Sequence, residues 1–177
     1  MIKRRIFYVL MTIVVILVIG LIVGYFYSKN FPTGILWRNG ITNSDVILTL
    51  NTDNNFRHYL YTKEGNISGI LTLQRREKSK LWSEYYNSQD LSIIDDSPKT
   101  SLAKSSYPIY TDAQLVSRPI WGGVVDLNNG EYKSIRLLVN NELREPTDFK
   151  IINDNYYFIF DATDFTIDHK IKIIPQK

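Results

Sequence analysis

The chain has 177 residues, which is room for one modest domain or two small ones beyond any anchor. Its hydrophobic content of 44% excludes a largely disordered protein, and the lack of cysteine excludes disulfides, Cys-based zinc sites and thiol nucleophiles. The net charge is +3, but removing the four basic residues that flank the first apolar run from the 21 leaves 17, against 18 acidic residues. Residues 30–177 are therefore close to neutral, which argues against nucleic acid as a partner.

The first predicted element is a transmembrane helix over residues 6–27, where Thr12 is the one clearly polar residue. A helix of this length spans about 33 Å, close to the hydrocarbon core of a bilayer. Lys3, Arg4 and Arg5 in the N-terminal segment 1–5 precede the run and only Lys29 follows closely, so the N-terminus is predicted to be cytoplasmic and the remainder extracytoplasmic. The bulky residues 25–27 occupy the region where a signal peptidase would cut, which favours an uncleaved signal anchor in the plasma membrane.

Gly20 and Gly24 form a G-x-x-x-G pair within this run. Such spacing lets two membrane helices approach closely, so self-association of the chain through this face is one hypothesis. The alternative is that glycine is simply common in membrane helices, and the shortness of the motif favours that alternative.

Residues 28–45 are interpreted as a linker, because Pro32, Gly34 and the pair Asn39-Gly40 are turn signals. Ile35, Leu36 and Trp37 interrupt it. They lie either at the bilayer surface or in a first short strand, and the strand is favoured.

From residue 46 the pattern predicts strands joined by turns, which is typical of a meander. Ile67, Leu71 and Leu73 are expected on one face of the "ISGILTLQ" strand. The following "EKSKLWSEYY" is compatible with either a strand or a short helix. Residues 95–108 are rich in Ser, Lys and Pro, and are interpreted as a long loop or as the seam between two subdomains.

The C-terminal part shows clearer strand patterns. "IWGGVVDL" is followed by Asn129-Gly130, a hairpin signal, and the next strand alternates through Ile135, Leu137 and Val139 before a turn at Asn140-Asn141. "YYFIF" is apolar at every position and predicts a central buried strand. The segment 165–173 alternates apolar and polar residues and predicts a strand with one buried face. Residues 46–177 are therefore predicted to form a mainly β, sandwich-like domain, or two β subdomains.

The run "YKSIRLLVNNELREPTDFKIINDNYYFIFDATDFTIDHKIKI" resembles the immunoglobulin-like modules of small single-pass exported proteins of Gram-positive bacteria. Its turn, "VNNE", lacks the glycine common in such modules. The resemblance covers the last third of the chain and implies adhesion, spacing or binding outside the cell. It carries over no catalytic residues.

Catalytic, cofactor and metal sites are not predicted. His58 and His169 both fall in apolar strand registers and are interpreted as satisfied core or edge histidines. Asp161, Asp164 and Asp168 lack the alternating oxygens and the glycine of a calcium loop, and are interpreted as a polar β-turn followed by a solvent-facing strand residue. The acidic pair at residues 95–96 is interpreted as solvated charge.

Two stretches are candidate surface contacts. The first is a basic cluster formed by Arg75, Arg76, Lys78 and Lys80, which could meet anionic polymers or lipid headgroups, or could be a charged hairpin tip. The second is Trp121-Gly122-Gly123, which could accept a sugar ring or a second backbone, or could only shape the sheet.

The predicted function is a non-catalytic, membrane-anchored, extracytoplasmic binding or interaction protein. Its partners would be the lipid bilayer, an envelope polymer or protein, and a second copy of the chain through the helix. The alternatives are an envelope hydrolase whose Asp and His residues show no motif, and a membrane-bound sensor or immunity factor.

Overall fold

The computed structural model describes residues 2–52, 55–63, 66–88, 91–94, 99–111, 114–128, 130–162 and 171–177. The chain is mainly β, with 56% strand and 23% helix. The elements are α1 (Ile2–Asn30), α2 (Pro32–Arg38), β1 (Val46–Thr52), β2 (Phe56–Lys63), β3 (Asn66–Arg75), β4 (Trp82–Ser88), β5 (Leu91–Ile94), β6 (Thr100–Thr111), β7 (Gln114–Asp126), β8 (Ser134–Val139), β9 (Glu142–Arg144), β10 (Asp148–Ile152), β11 (Asn155–Asp161) and β12 (Ile171–Gln176).

Helix α1 exposes all its side chains from residue 6 to residue 27. The part from Ile6 to Asn30 is long and apolar enough to cross a membrane, by length and composition. A helix satisfies its backbone hydrogen bonds internally, so a predominantly apolar helix is a form in which a chain can lie inside lipid.

The predicted strand at residues 35–37 is wrong, because these residues lie in helix α2. Pro32 stands at the start of α2, where its missing N–H costs no hydrogen bond, and the left-handed Gly40 follows the helix end. The helix buries Ile35 and Leu36 against the sheet and leaves Trp37 73% exposed. This part of the segment interpreted as a linker is therefore a packed element of the domain.

Strands β1 to β4 form an antiparallel meander, called the meander sheet, in the order β1-β2-β3-β4. The predicted meander is confirmed. The segment "EKSKLWSEYY", which was compatible with a strand or a helix, leads into strand β4. The prediction that Ile67 shares a face with Leu71 and Leu73 is wrong. Tyr61 pairs with Gly69 while Thr62 pairs with Ile67, so one extra residue in β3 shifts the register and turns Ile67 to the opposite face.

The central sheet has the order β10-β11-β7-β6-β5, also antiparallel. The predicted central position of "YYFIF" is confirmed, since β11 lies between β10 and β7 and is buried on both faces. The loop predicted over residues 95–108 is wrong from Thr100 onward, because that part is strand β6; residues 95–98 lie outside the described ranges. The face of β6 toward the meander sheet is buried through Ala103, Ser105 and Tyr107, and the small Ala and Ser side chains hide the alternation that would predict a strand.

The small sheet has the order β12-β8-β9. Ile135, Leu137 and Val139 are all buried on one face of β8, as predicted. Asn140-Asn141 is confirmed as a tight hairpin turn, since both residues have positive φ between the paired Val139 and Glu142.

The hairpin predicted at Asn129-Gly130 is wrong. Strand β7 belongs to the central sheet and β8 to the small sheet, so this connection passes from one sheet to the other instead of joining paired strands. Asn129 itself lies outside the described residues, as does the segment 163–170 that holds most of the predicted alternating strand.

Three apolar clusters hold the layers together. One joins α2 to the meander sheet, the second joins the meander sheet to the central sheet, and the third joins the central sheet to the small sheet. The central sheet is thus apolar on both sides, and the sandwich-like prediction holds with three stacked sheets.

Candidate functional site

A cleft of about 640 Å³ opens where one end of the meander sheet meets β6 and β7. Its polar wall comes from the β1–β2 and β3–β4 ends of the meander sheet, and its apolar wall comes from β6 and β7. The polar wall consists of Asn55, Gln74, Arg75, Arg76 and Glu77, the apolar wall consists of Pro108, Ile109 and Leu115, and Phe56 and Tyr85 complete the lining.

The basic side of the cleft is held by the β3–β4 hairpin. Arg75 pairs with Trp82 across the two strands, and the backbone N–H of Arg76 donates to Leu81 at 2.8 Å. Lys80 takes a left-handed conformation with φ of 58°, and its carbonyl accepts a bond from Arg75 Nε at 3.3 Å. The predicted basic cluster is therefore a hairpin tip, and two of its four basic residues, Arg75 and Arg76, line the cleft.

Phe56 separates the cleft from the interior. Its ring lies 5.6 Å from that of Tyr85 in an edge-to-face contact, and 5.1 Å from that of the buried Tyr107. Tyr85 remains 44% exposed, whereas Phe56 is 6% exposed. The cleft therefore has a fixed aromatic floor and one aromatic side chain available to a ligand.

A buried polar cluster lies behind Phe56, centred on His58. The His58 ring is fully buried and 4.9 Å from that of Tyr107. Its Nε2 lies 2.9 Å from the hydroxyl of Thr52, and its Nδ1 lies 3.0 Å from that of Thr72, which in turn lies 2.9 Å from Ser105 Oγ. Burial lowers the pKa of His58 to about 3, so the ring is neutral at ordinary pH. The interpretation of His58 as a satisfied core histidine is confirmed; His169 lies outside the described residues.

Tyr107, Arg118 and Asp161 extend this buried cluster. The Tyr107 hydroxyl donates to the Asp161 carboxylate at 3.2 Å and accepts from Arg118 Nη1 at 3.2 Å. Arg118 Nε lies 3.8 Å from Asp161 Oδ1. Burial raises the pKa of Tyr107 to about 12. Asp161 was expected to be a turn residue, but it closes β11 and forms a mostly buried ion pair with a residue of β7.

The contact predicted through Gly122 and Gly123 is not available at the surface, because both glycines are buried. A Cβ on Gly122 would come within 2.7 Å of Leu60, and one on Gly123 within 2.7 Å of the Ser101 carbonyl. These glycines allow close packing around the central sheet, which is the sheet-shaping alternative. Trp121 is half-buried, with Lys104 Nζ 4.7 Å from its ring centre.

Gly20 and Gly24 are exposed on α1, and a Cβ added at either position would meet nothing within 4 Å. Self-association through them stays a prediction. Within the described ranges, no group of three or more His, Asp and Glu side chains is placed to hold a metal ion. Residues 95–96, Asp164 and Asp168 lie outside those ranges. The chain matches no protein-family model, no curated protein and no solved structure.

Proposed function

We propose that this chain is a non-catalytic interaction protein, held at the cell membrane by α1, whose sheets act on the extracytoplasmic side. The observation that carries the proposal is the direct joining of an exposed apolar helix to the core of a folded domain. The basic N-terminus supports a cytoplasmic start for α1, since positive residues are retained on that side.

The junction between α1 and α2 supports an uncleaved anchor. The rings of Tyr27 and Phe31 stack at 5.2 Å, and the Tyr27 hydroxyl contacts that of Thr33. Gly34 sits against the Tyr27 carbonyl so closely that a Cβ there would clash with backbone. The end of α1 thus packs on α2 and contributes to the domain that it carries.

A second set of contacts ties α2 to strand β4. Arg38 bonds to Glu84 at 2.7 Å, and the side-chain amide of Asn39 donates to the same carboxylate at 2.9 Å. With the apolar packing of Ile35 and Leu36, these contacts make α2 a docked connector, which supports delivery of the domain close to the membrane surface.

The buried histidine and the open cleft together favour binding over catalysis. A general base must reach a substrate proton, and His58 is buried, neutral and bonded to hydroxyl groups at both ring nitrogens. The cleft, in contrast, offers accessible cationic, amide and aromatic groups. His58 thus gives no support to the hydrolase alternative.

The anchor is tested by alkaline carbonate extraction of membranes from cells that express the tagged full chain. We expect the protein to stay in the membrane pellet, and a variant with Leu17→Arg and Leu21→Arg to be released. Leu17→Val with Leu21→Val is the matched control and should stay in the pellet. Release of the unaltered chain would contradict the proposal.

Interaction is tested by cross-linking intact cells and purifying the full chain. We expect a reproducible adduct with an envelope polymer or protein. An unmodified monomer under conditions that cross-link known neighbours in the same membrane would count against an interaction role.

A further inference from the structure

We propose that the cleft between the β3–β4 hairpin and β6–β7 binds an acidic polysaccharide, meaning a chain of sugar rings that carries carboxylate or phosphate groups. This inference rests on the proposed function, because it takes the domain to be a binding module and names the class of its ligand.

Positive charge is concentrated at the cleft. The hairpin tip at residues 75–80 contains four basic residues and one acidic residue, while the chain from residue 30 onward is close to neutral. Arg75 and Arg76 bring two of these positive charges to the cleft, and Glu77 brings the one negative charge, so the lining keeps a net positive charge. A guanidinium presents its donors as a planar fork that matches a carboxylate or phosphate, so this wall is complementary to an anion.

Polar and apolar groups suited to sugar rings lie beside the arginines. The side-chain amides of Asn55 and Gln74 can each donate and accept hydrogen bonds, as sugar hydroxyls require. Tyr85 presents a partly exposed ring, and Pro108 and Leu115 supply apolar surface on the opposite wall. A ligand with hydroxyls at its edges and C–H groups on its faces can use both walls at once.

The backbone of strand β3 is already paired at the cleft. Gln74 pairs with Phe56 on one side and with Ser83 on the other, so the strand that carries Gln74 and Arg75 has no edge open there. An extended peptide could not add to β3 as a further strand, so the polar wall must recognise its ligand through side chains. At this wall, that favours a sugar polymer over an acidic peptide bound as an added strand.

The size of the cleft fits a short segment of such a polymer. Its volume of about 640 Å³ falls within the range of about 300–1,000 Å³ typical of sites that hold small molecules. We therefore expect several weak contacts along a long chain, with affinity increased by repeated occupancy.

The experiment uses the full chain in nanodiscs of phosphatidylcholine, so that the lipid adds no net charge. The probes are polygalacturonate and phosphomannan as acidic polysaccharides, dextran as a neutral one, and polyglutamate and polyphosphate as anions without sugar rings. We expect one or both acidic polysaccharides to bind, and each of the other probes to bind at least about tenfold more weakly.

Paired variants identify the site. Arg75→Gln with Arg76→Gln should weaken binding of the acidic polysaccharide at least about tenfold. Lys78→Gln with Lys80→Gln removes the same charge from the same hairpin but touches no cleft-lining residue, so its binding should stay within about threefold of the unaltered chain. Tyr85→Leu should weaken binding as well. The thermal unfolding of each variant checks that it is folded.

Four results would overturn the inference: neither acidic polysaccharide binds, polyglutamate or polyphosphate binds equally well, both charge pairs weaken binding equally, or Tyr85→Leu has no effect. Polysaccharide binding that requires phosphatidylglycerol in the nanodisc would show that the lipid, and not the cleft alone, forms the site. That result would overturn the inference too. None of these results affects carbonate extraction or cross-linking, so the proposed function can survive the loss of this ligand.

Discussion

Charged residues lie on both sides of the Phe56 ring, but they are buried and paired on one side and exposed to solvent on the other. On the inner side, Arg118 and Asp161 form an ion pair whose side chains are 16% and 11% exposed. On the outer side, Arg76 is exposed to solvent at the rim of the cleft. A buried charge must be paired to be tolerated, whereas an exposed one costs the fold little and can meet a ligand. The inner polar groups therefore specify the structure, and the outer ones are where recognition can occur.

Asp161→Ala tests the inner side most severely. It leaves the Arg118 guanidinium mostly buried without its carboxylate and removes the acceptor of the Tyr107 hydroxyl. We expect the free energy of unfolding of the full chain in detergent to fall by about 3–5 kcal/mol. Denaturant titration measures it.

Glu145→Ala is the control for this prediction. It removes an exposed ion pair with Arg136, in which the Arg136 and Glu145 side chains are 48% and 66% exposed. We expect a change below about 1 kcal/mol. Equal losses in both variants would show that the Arg118–Asp161 pair has no special role in stability.

The second prediction concerns pH and His58. Its pKa is about 3 in the folded chain and about 6.5 when unfolded, so below pH 6.5 the unfolded state binds more protons. The contribution of His58 to the free energy of unfolding is therefore fully present above pH 6.5. It decreases as the pH falls toward 3, by up to about 1.4 kcal/mol per pH unit. The difference between the unaltered chain and His58→Gln, followed by denaturant titration at pH 7, 6, 5 and 4, isolates this residue. A difference that does not vary with pH would contradict a neutral, buried His58.

The third prediction compares the two glycines of β7. Gly123→Ala should destabilise the chain by about 1–3 kcal/mol, because its Cβ would meet the backbone carbonyl of Ser101 at 2.7 Å. Gly122→Ala should cost less, since its nearest neighbours are the flexible side-chain ends of Leu60 and Ile70. Thermal unfolding compares them, and the reverse order would show that the packing around the central sheet differs from that described.

The smallest effect is expected on the outer side of Phe56. Arg76→Gln should change the free energy of unfolding by no more than about 0.5 kcal/mol, because the side chain is exposed. A loss comparable with that of Asp161→Ala would mean that the cleft arginines serve the fold and would remove the contrast between the two sides.

Local sequence patterns predicted the strands that are buried regularly along their length, on one face or on both. Ile135, Leu137 and Val139 alternate because β8 buries one face, and "YYFIF" is continuous because β11 buries two. The pattern does not predict strand β6, because its buried face carries small residues such as Ala103 and Ser105, which resemble a loop in composition.

Features that depend on distant pairing were not accessible from the sequence. The shifted register at Gly69 exists only in the pairing of β3 with β2, and the passage from β7 to β8 between sheets depends on the whole stack. The cleft is lined by residues from distant parts of the chain, between Asn55 and Leu115. Arg118 of β7 pairs with Asp161 of the neighbouring strand β11. Arg75 and Arg76 were singled out by charge, but nothing local indicates their neighbours Tyr85 and Pro108.

The most direct test of the account adds protease to intact cells that carry the full chain with a C-terminal tag. If α1 crosses the membrane once with its N-terminus inside, the tag and the sheets should be digested while a cytosolic marker stays intact. Detergent lysis should then make both susceptible. A tag that resists digestion until the cells are lysed would place the domain in the cytosol and contradict the account.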